Sequence, residues 1–142
     1  LILLDTNVLS ALMLAEPDPV IVRWLDRLDP RSVWTTAITV FEIRYGLEKR
    51  GPGRKTRDLE EAFSALIRED LDGRVAPVDG AAAEAAAKLA GRRGAAGRVV
   101  DFRDTLIAGI AVSQRAEIAT RNLRHFADLG TRVIDPWADA VG

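Results

Sequence analysis

Five short apolar or β-branched runs alternate along this chain with segments of helical period, and that alternation restricts it to the α/β class. The first run, Leu1-Ile2-Leu3-Leu4, is continuously apolar and stops at Asp5, the pattern of a strand buried on both faces of a parallel sheet. Ser32–Thr36, Arg74–Val78, Glu117–Thr120 and Arg132–Ile134 supply the others. Parallel neighbours need crossover connections, which are right-handed and lay helices on both faces. The expected fold is a three-layer α/β/α domain around a central parallel sheet of about four to five strands.

The helices are marked by caps and breaks. Asp5 or Thr6 can cap a helix from Asn7 to Leu14 that Glu16-Pro17 closes. Asp18-Pro19 sets a cap and a first-turn proline before a second helix carrying Val20, Ile21, Trp24, Leu25 and Leu28. Ile38, Phe41, Tyr45 and Leu47 mark a third, and Gly51-Pro52-Gly53 is the clearest break in the chain. Leu59, Ala62, Phe63, Leu66, Ile67 and Leu71 make 56–72 an amphipathic helix stopped by Asp72-Gly73. Asp79 caps an alanine-rich helix to about Arg93, and Gly94 to Gly97 is a loop. Either Asp101 or Asp104 caps the helix bearing Leu106, Ile107, Ile110 and Ala111, and a short helical turn surrounds Phe126.

With 142 residues, 48% apolar and 29% charged, the chain is expected to form one globular domain, 1–142. It has no cysteine, which excludes disulfides, cysteine-ligated zinc or iron–sulfur centres and a thiol nucleophile. A single histidine argues against a multi-histidine metal site and against Ser–His–Asp chemistry. No apolar run has the length of a membrane span and no basic segment precedes Leu1–Leu4, so the expectation is a cytoplasmic protein with no membrane partner.

Twenty Lys and Arg against 21 Asp and Glu leave a formal charge of −1, so affinity for nucleic acid is not written into the net charge. Its distribution is less even. Arg44, Lys49, Arg50, Arg54, Lys55 and Arg57 form one basic stretch; Arg92, Arg93, Arg98 and Arg103 form another. Such runs are ordinarily solvated helix faces, and they can also hold phosphates, for which arginine is the better bidentate partner.

Function is sought where parallel sheets put it, just past the carboxyl ends of the strands. Asp5-Thr6-Asn7 follows the first strand and Arg121-Asn122 follows the fourth, while Glu42 lies in the helix after the second and Asp104 near the start of the helix before the fourth. If the first and fourth strands are neighbours, these positions converge. Each residue has a plain structural reading: Asp5 as a helix cap, Asn122 as a turn residue, Asp101 and Asp104 as rivals for one cap, and Glu42 as a carboxylate between Phe41 and Ile43 that needs a partner. Together they suggest a cation. Carboxylates about 5 Å apart repel by roughly 3 kcal/mol per pair at an effective dielectric near 20. A hard divalent ion such as Mg²⁺ removes that cost and activates water against a phosphodiester.

Four segments then resemble one family in order and interval: Leu3-Leu4-Asp5-Thr6-Asn7-Val8-Leu9, Phe41-Glu42-Ile43, Asp104-Thr105-Leu106-Ile107-Ala108, and Ala119-Thr120-Arg121-Asn122 with Phe126. They resemble the PIN-domain ribonucleases, most closely the VapC-type toxins of type II toxin–antitoxin systems, and an Ile134-Asp135-Pro136-Trp137 ending extends the likeness. The resemblance implies a Mg²⁺- or Mn²⁺-dependent endoribonuclease in which metal-activated water attacks the phosphate in line, leaving a 5′-phosphate and a 3′-hydroxyl. By position it assigns catalysis to Asp5, Glu42, Asp104 and Asn122. Asp5 and Asp104 are the main metal ligands, with Glu42 reaching the metal directly or through water. Asn122 stands where the family commonly has Asp and sometimes Asn; Thr6 and Thr120 match supporting hydroxyls, and His125 replaces a common acid. Lys49, Arg50, Arg54, Arg92 and Arg93 are the expected contacts to the RNA backbone. The resemblance further implies a VapB-type antitoxin lying across the acid pocket, a homodimer, and larger toxin–antitoxin complexes. Leu12, Met13 and Trp24 either line the antitoxin groove or belong to the core. The alternative reading from another class is a non-catalytic PIN-like module that binds RNA or a partner without cutting.

Overall fold

The computed structural model describes residues 1–139; the last three of the expected 1–142 domain lie outside the described residues. Five parallel strands, β1 (Ile2–Leu4), β2 (Val33–Thr36), β3 (Val75–Ala76), β4 (Glu117–Ala119) and β5 (Val133–Ile134), form one sheet in the order β3-β2-β1-β4-β5. The helices are α1 (Thr6–Leu12), α2 (Pro19–Asp26), α3 (Ala37–Arg50), α4 (Arg54–Ala65), α5 (Gly80–Ala95), α6 (Phe102–Gln114) and α7 (Pro136–Asp139). From β1 the chain builds outward to β2 and β3, then crosses to β4 on the other side. The neighbours β1 and β4, paired Ile2 to Glu117, Leu3 to Ile118 and Leu4 to Ala119, therefore flank the point where the winding reverses. Ligands of open parallel sheets bind at such a point.

Side chains alternate across each strand, so adjacent residues join different cores. Leu4 and Ala119 pack with Val8, Leu9, Ile21, Trp24, Ile43 and Phe63 of the first four helices. Leu3 and Ile118 pack on the opposite face with Leu89, Ile107, Ile110 and Phe126. These are the two outer layers of an α/β/α sandwich, as the alternating sequence pattern requires.

Most boundaries fall within a turn of those expected, and the departures have local causes. The 56–72 helix begins earlier, at Arg54, directly after the Gly51–Gly53 break. It ends in a wide turn over Leu66–Asp70, where the Leu71 N–H donates to the Leu66 carbonyl at 3.0 Å. The alanine-rich helix runs through Gly94 to Ala95, so the expected loop starts later; the Ala96 N–H still donates to the Arg92 carbonyl at 3.0 Å. Asp101 wins the contested cap, accepting from the N–H groups of Arg103 and Asp104 at 2.9 and 3.3 Å. Met13 and Trp24 are core residues, not the lining of an open groove: both are buried, and the Trp24 indole N–H donates to Asp139 at 3.0 Å.

α5 and α6 pack closely because Gly109 faces Ala82 and Ala86. A Cβ at Gly109 would stand 2.5 Å from the Ala82 carbonyl oxygen and 2.9 Å from the Ala86 nitrogen. Backbone cannot yield as a side-chain tip can. Gly109→Ala is expected to force the helices apart at a cost of about 1–3 kcal/mol, lowering the melting temperature by roughly 5–10 °C.

Candidate active site

At the carboxyl end of β1 the Asp5 N–H continues the ladder to the Ala119 carbonyl at 2.9 Å, which sets its side chain between β1 and β4. Asp5 is 5% exposed. Its Oδ1 accepts from the Thr6 N–H at 2.8 Å, capping α1, and its Oδ2 accepts from the Thr120 hydroxyl at 2.7 Å. Thr120 is a hub: its Oγ1 also accepts from Asn7 Nδ2 at 3.2 Å and from the Asn122 N–H at 3.0 Å. Asn7 in turn accepts from the Arg121 N–H at 3.1 Å and ties α1 to the segment after β4. Thr120→Val removes the hydroxyl and leaves the buried Asp5 carboxyl short of a donor. We expect it to cost about 2 kcal/mol and to lower the melting temperature by roughly 5–10 °C.

The second acid comes from α3. Thr36 ends β2 and caps that helix, accepting from the Thr39 N–H at 3.1 Å. One turn on, Glu42 Oε1 accepts from the Thr6 hydroxyl at 3.0 Å, which lies 3.4 Å from the Thr39 hydroxyl. Arg103, at the start of α6, brings its guanidinium to 3.8 Å from Glu42 and 3.8 Å from Asp101. The third acid, Asp104, is released from capping by Asp101. Its Oδ2 lies 2.8 Å from His125 Nδ1.

Burial pushes all three carboxyls above the ordinary carboxylate range. For Asp5 the bonds from Thr120 and Thr6 oppose the rise, as does His125. For Glu42 the Thr6 bond opposes it, Asp5 and Asp104 add to it, and Arg103 opposes. For Asp104, His125 opposes while Asp101 and Asp5 add to it. The acids thus feel one another as charges. Among the described residues, however, no three His, Asp or Glu side chains stand together as a ready ligand cage. Each carboxylate is held instead by a neighbouring hydroxyl or imidazole.

Asp5, Glu42, Asp104, Thr6, Thr120 and the Asn122 backbone are thus connected at one end of the sheet. The expected RNA contacts are less gathered. Lys49, Arg50, Arg54 and Arg92 are exposed. Lys49 stands two turns beyond Glu42 on α3, with its Nζ 5.4 Å from the Tyr45 ring. Arg92 stands beside Arg93 near the end of α5, on an exposed groove that runs along that helix. Arg93 is a correction: its side chain is 5% exposed and forks onto Asp128, with Nε–Oδ2 3.0 Å and Nη2–Oδ1 2.8 Å, so it is not free to hold phosphates. That pairing keeps the Asp128 carboxyl down at about 2. Asn7 and the Asp104 contact of His125 are what sequence reasoning left unassigned, and Arg103, expected only as one of a basic stretch, stands beside Glu42. Their position beside motif residues was the only signal available.

The comparisons agree with this fold. The PIN domain family matches residues 2–131. The VapC ribonuclease Y4jK of Sinorhizobium fredii is 34% identical over 140 residues, covering 99% of this chain and all of the relative. Among solved structures, FitAcB from Neisseria gonorrhoeae superposes with a TM-score of 0.84 at 33% identity, over 96% of this chain and 99% of that one. The DNA-bound VapBC of Salmonella typhimurium superposes at 0.81 with 26% identity, over 95% and 97%. The chain belongs to the PIN domain family. Within it, the likeness is to VapC-type toxins, as the four sequence segments suggest.

Proposed function

We propose that the protein is the toxin of a toxin–antitoxin pair, a Mg²⁺- or Mn²⁺-dependent endoribonuclease acting in the cytoplasm. The observation that carries this reading is the set of three mutually repelling, partly desolvated carboxyls at the reversal point of a parallel sheet. Asp5 also caps α1, but Thr36 caps the helix of Glu42 and Asp101 that of Asp104, so those two acids are not needed as caps. The donor set is all oxygen from carboxylates, which fits a hard divalent ion rather than zinc or copper. Asp5 and Asp104 would hold it, with Glu42 reaching it directly or through water. Such an ion, when bound, lowers the pKa of water and offsets negative charge on phosphoryl oxygens.

The chain's own residues do the rest. Thr6 and Thr120 fix the rotamers of Glu42 and Asp5. Asn7 braces Thr120 and presents the Arg121–Asn122 turn to the pocket, where Asn122 orients the phosphate or water. Arg103 lies beside Glu42 and supplies positive charge on the substrate side. Exposed Lys49, Arg50, Arg54 and Arg92 contact RNA backbone further out. The relatives in solved complexes support a VapB-type antitoxin as partner, and we propose a homodimer as the working unit.

The test is cleavage of a mixed RNA pool by purified antitoxin-free protein, with Mg²⁺, with chelator, and with Asp5→Asn as control. Cutting that needs both the ion and Asp5, with 5′-phosphate ends, is the expected result. Undiminished cutting in chelator overturns the metal assignment. No cutting of any RNA, with no ion-induced rise in melting temperature, leaves a binding module instead.

A further inference from the structure

Behind the pocket lies a buried cation that the proposed chemistry does not use. Arg93, in the last turns of α5, directs its side-chain hydrogen bonds to segments that carry or adjoin the acid site. Nη1 donates to the Thr105 hydroxyl at 3.2 Å, one residue after Asp104. Nη2 donates to the His125 carbonyl at 2.7 Å. The fork onto Asp128 fixes the chain three residues past His125. Thr105 passes the restraint on, its hydroxyl donating to the Asp101 carbonyl at 2.7 Å at the cap of α6. One guanidinium therefore holds, from behind, the backbone beside both members of the Asp104–His125 pair, whose side chains meet in front of it at 2.8 Å.

A planar fork with five donors is suited to this, because it bonds a carboxylate edge, a carbonyl and a hydroxyl at fixed angles. A lysine keeps the charge and cannot span all three. The restraint also differs from that of Arg98, whose side chain, 45% exposed, bonds among the described residues to Asp128 alone, at 2.8 Å.

We propose that Arg93 is a positioning residue for the acid site: it sets the spacing of α6 from the segment after β4, and through it the aim of Asp104 at the pocket. Its part in catalysis rests on the nuclease reading; its part in holding Asp104 against His125 does not. The two are separable because His125 is the only histidine in the chain. Its ring nitrogens give an unambiguous NMR signal without RNA or metal.

The experiment compares wild type, Arg93→Lys, Thr105→Val and Arg98→Ala by circular dichroism, by the ¹⁵N signals of His125 at a pH where the ring is neutral, and by cleavage kinetics. Wild type is expected to carry the ring hydrogen on Nδ1, held by Asp104. In folded Arg93→Lys the ring relaxes toward the other tautomer, while Arg98→Ala keeps the wild-type signal. On RNA, kcat for Arg93→Lys falls roughly 100-fold with KM within about twofold. If Arg93→Lys does not fold, Thr105→Val carries the test and is expected to move the ring signal in the same direction. A folded Arg93→Lys with unchanged His125 signals and unchanged kcat, merely melting lower, overturns the proposal. Loss of that tautomer in folded Arg93→Lys, alongside a wild type that keeps it and cuts no RNA, refutes only the nuclease reading; a wild type without it overturns the proposal.

Discussion

Asp104→Asn and Asp5→Asn are expected to lose RNA cleavage alike, by roughly a thousand-fold or more, since either takes away several kcal/mol of transition-state stabilisation. Their stabilities should move in opposite directions. Asp104 is held by one imidazole and lifted by burial and by Asp101 and Asp5, so neutralising it relieves repulsion. In chelator Asp104→Asn should melt a few degrees above the parent, for a gain of about 1 kcal/mol. Asp5 is different: its two oxygens accept from Thr6 and Thr120, and Thr120 is already accepting from Asn7 and Asn122. An amide nitrogen facing that hydroxyl opposes donor to donor, and Asp5→Asn should melt lower. Two inactive proteins with opposite shifts in a single melting experiment separate charge relief from lost bonding. Equal shifts of one sign would contradict the hydrogen-bond assignment around Thr120.

Saturating Mg²⁺ or Mn²⁺ is expected to raise the melting temperature of the wild type by roughly 10 °C, the equivalent of about 2.7 kcal/mol at a hundredfold excess over the dissociation constant. Asp5, Glu42 and Asp104 have folded-state pKa values raised above their unfolded ones. Stability from these groups is therefore full below the ordinary carboxylate value and is lost as pH rises from there through the raised values. The ion-free protein should become less stable over that window. The ion gain should grow over the same window, because protons compete for the same oxygens. Glu42→Gln keeps an acceptor for Thr6 and removes one charge, so it should flatten the ion-free pH slope. Scanning fluorimetry across pH, with and without chelator, reads all of this. A pH-independent ion effect would argue against carboxylate ligation.

The elements that chemistry marks locally were legible. Leu1–Leu4 before Asp5, the Asp18-Pro19 cap and the Gly51–Gly53 break each carry their physics within a few residues. The parallel sheet followed from the alternation. What could not be read was anything decided by pairs distant in sequence. That β1 lies beside β4, and so that Asp5 meets Thr120, depends on a contact 115 residues apart. Asp101 and Asp104 were equivalent as caps until the start of α6 was placed. Arg93 looked like its exposed neighbour Arg92 because helical position alone does not reveal Asp128 on the facing segment. Trp24 and Met13 were ambiguous for the same reason: an amphipathic face does not say what covers it.

The threonines beneath the pocket have a kinetic consequence. Besides two backbone N–H bonds, Thr6, Thr36, Thr39 and Thr120 hold the acids and one another through hydroxyls. A hydroxyl can donate to an ionised carboxylate or, after a rotation about one bond, accept from a protonated one. A lysine or arginine in the same place could do only the first. Side-chain hydrogens reorient in picoseconds to nanoseconds, whereas loops shift over nanoseconds to microseconds. A change in the charge of Glu42 is then absorbed by turning the Thr6 hydrogen while the heavy atoms stay still, and that acid can alternate between charge states with no slow backbone step in between.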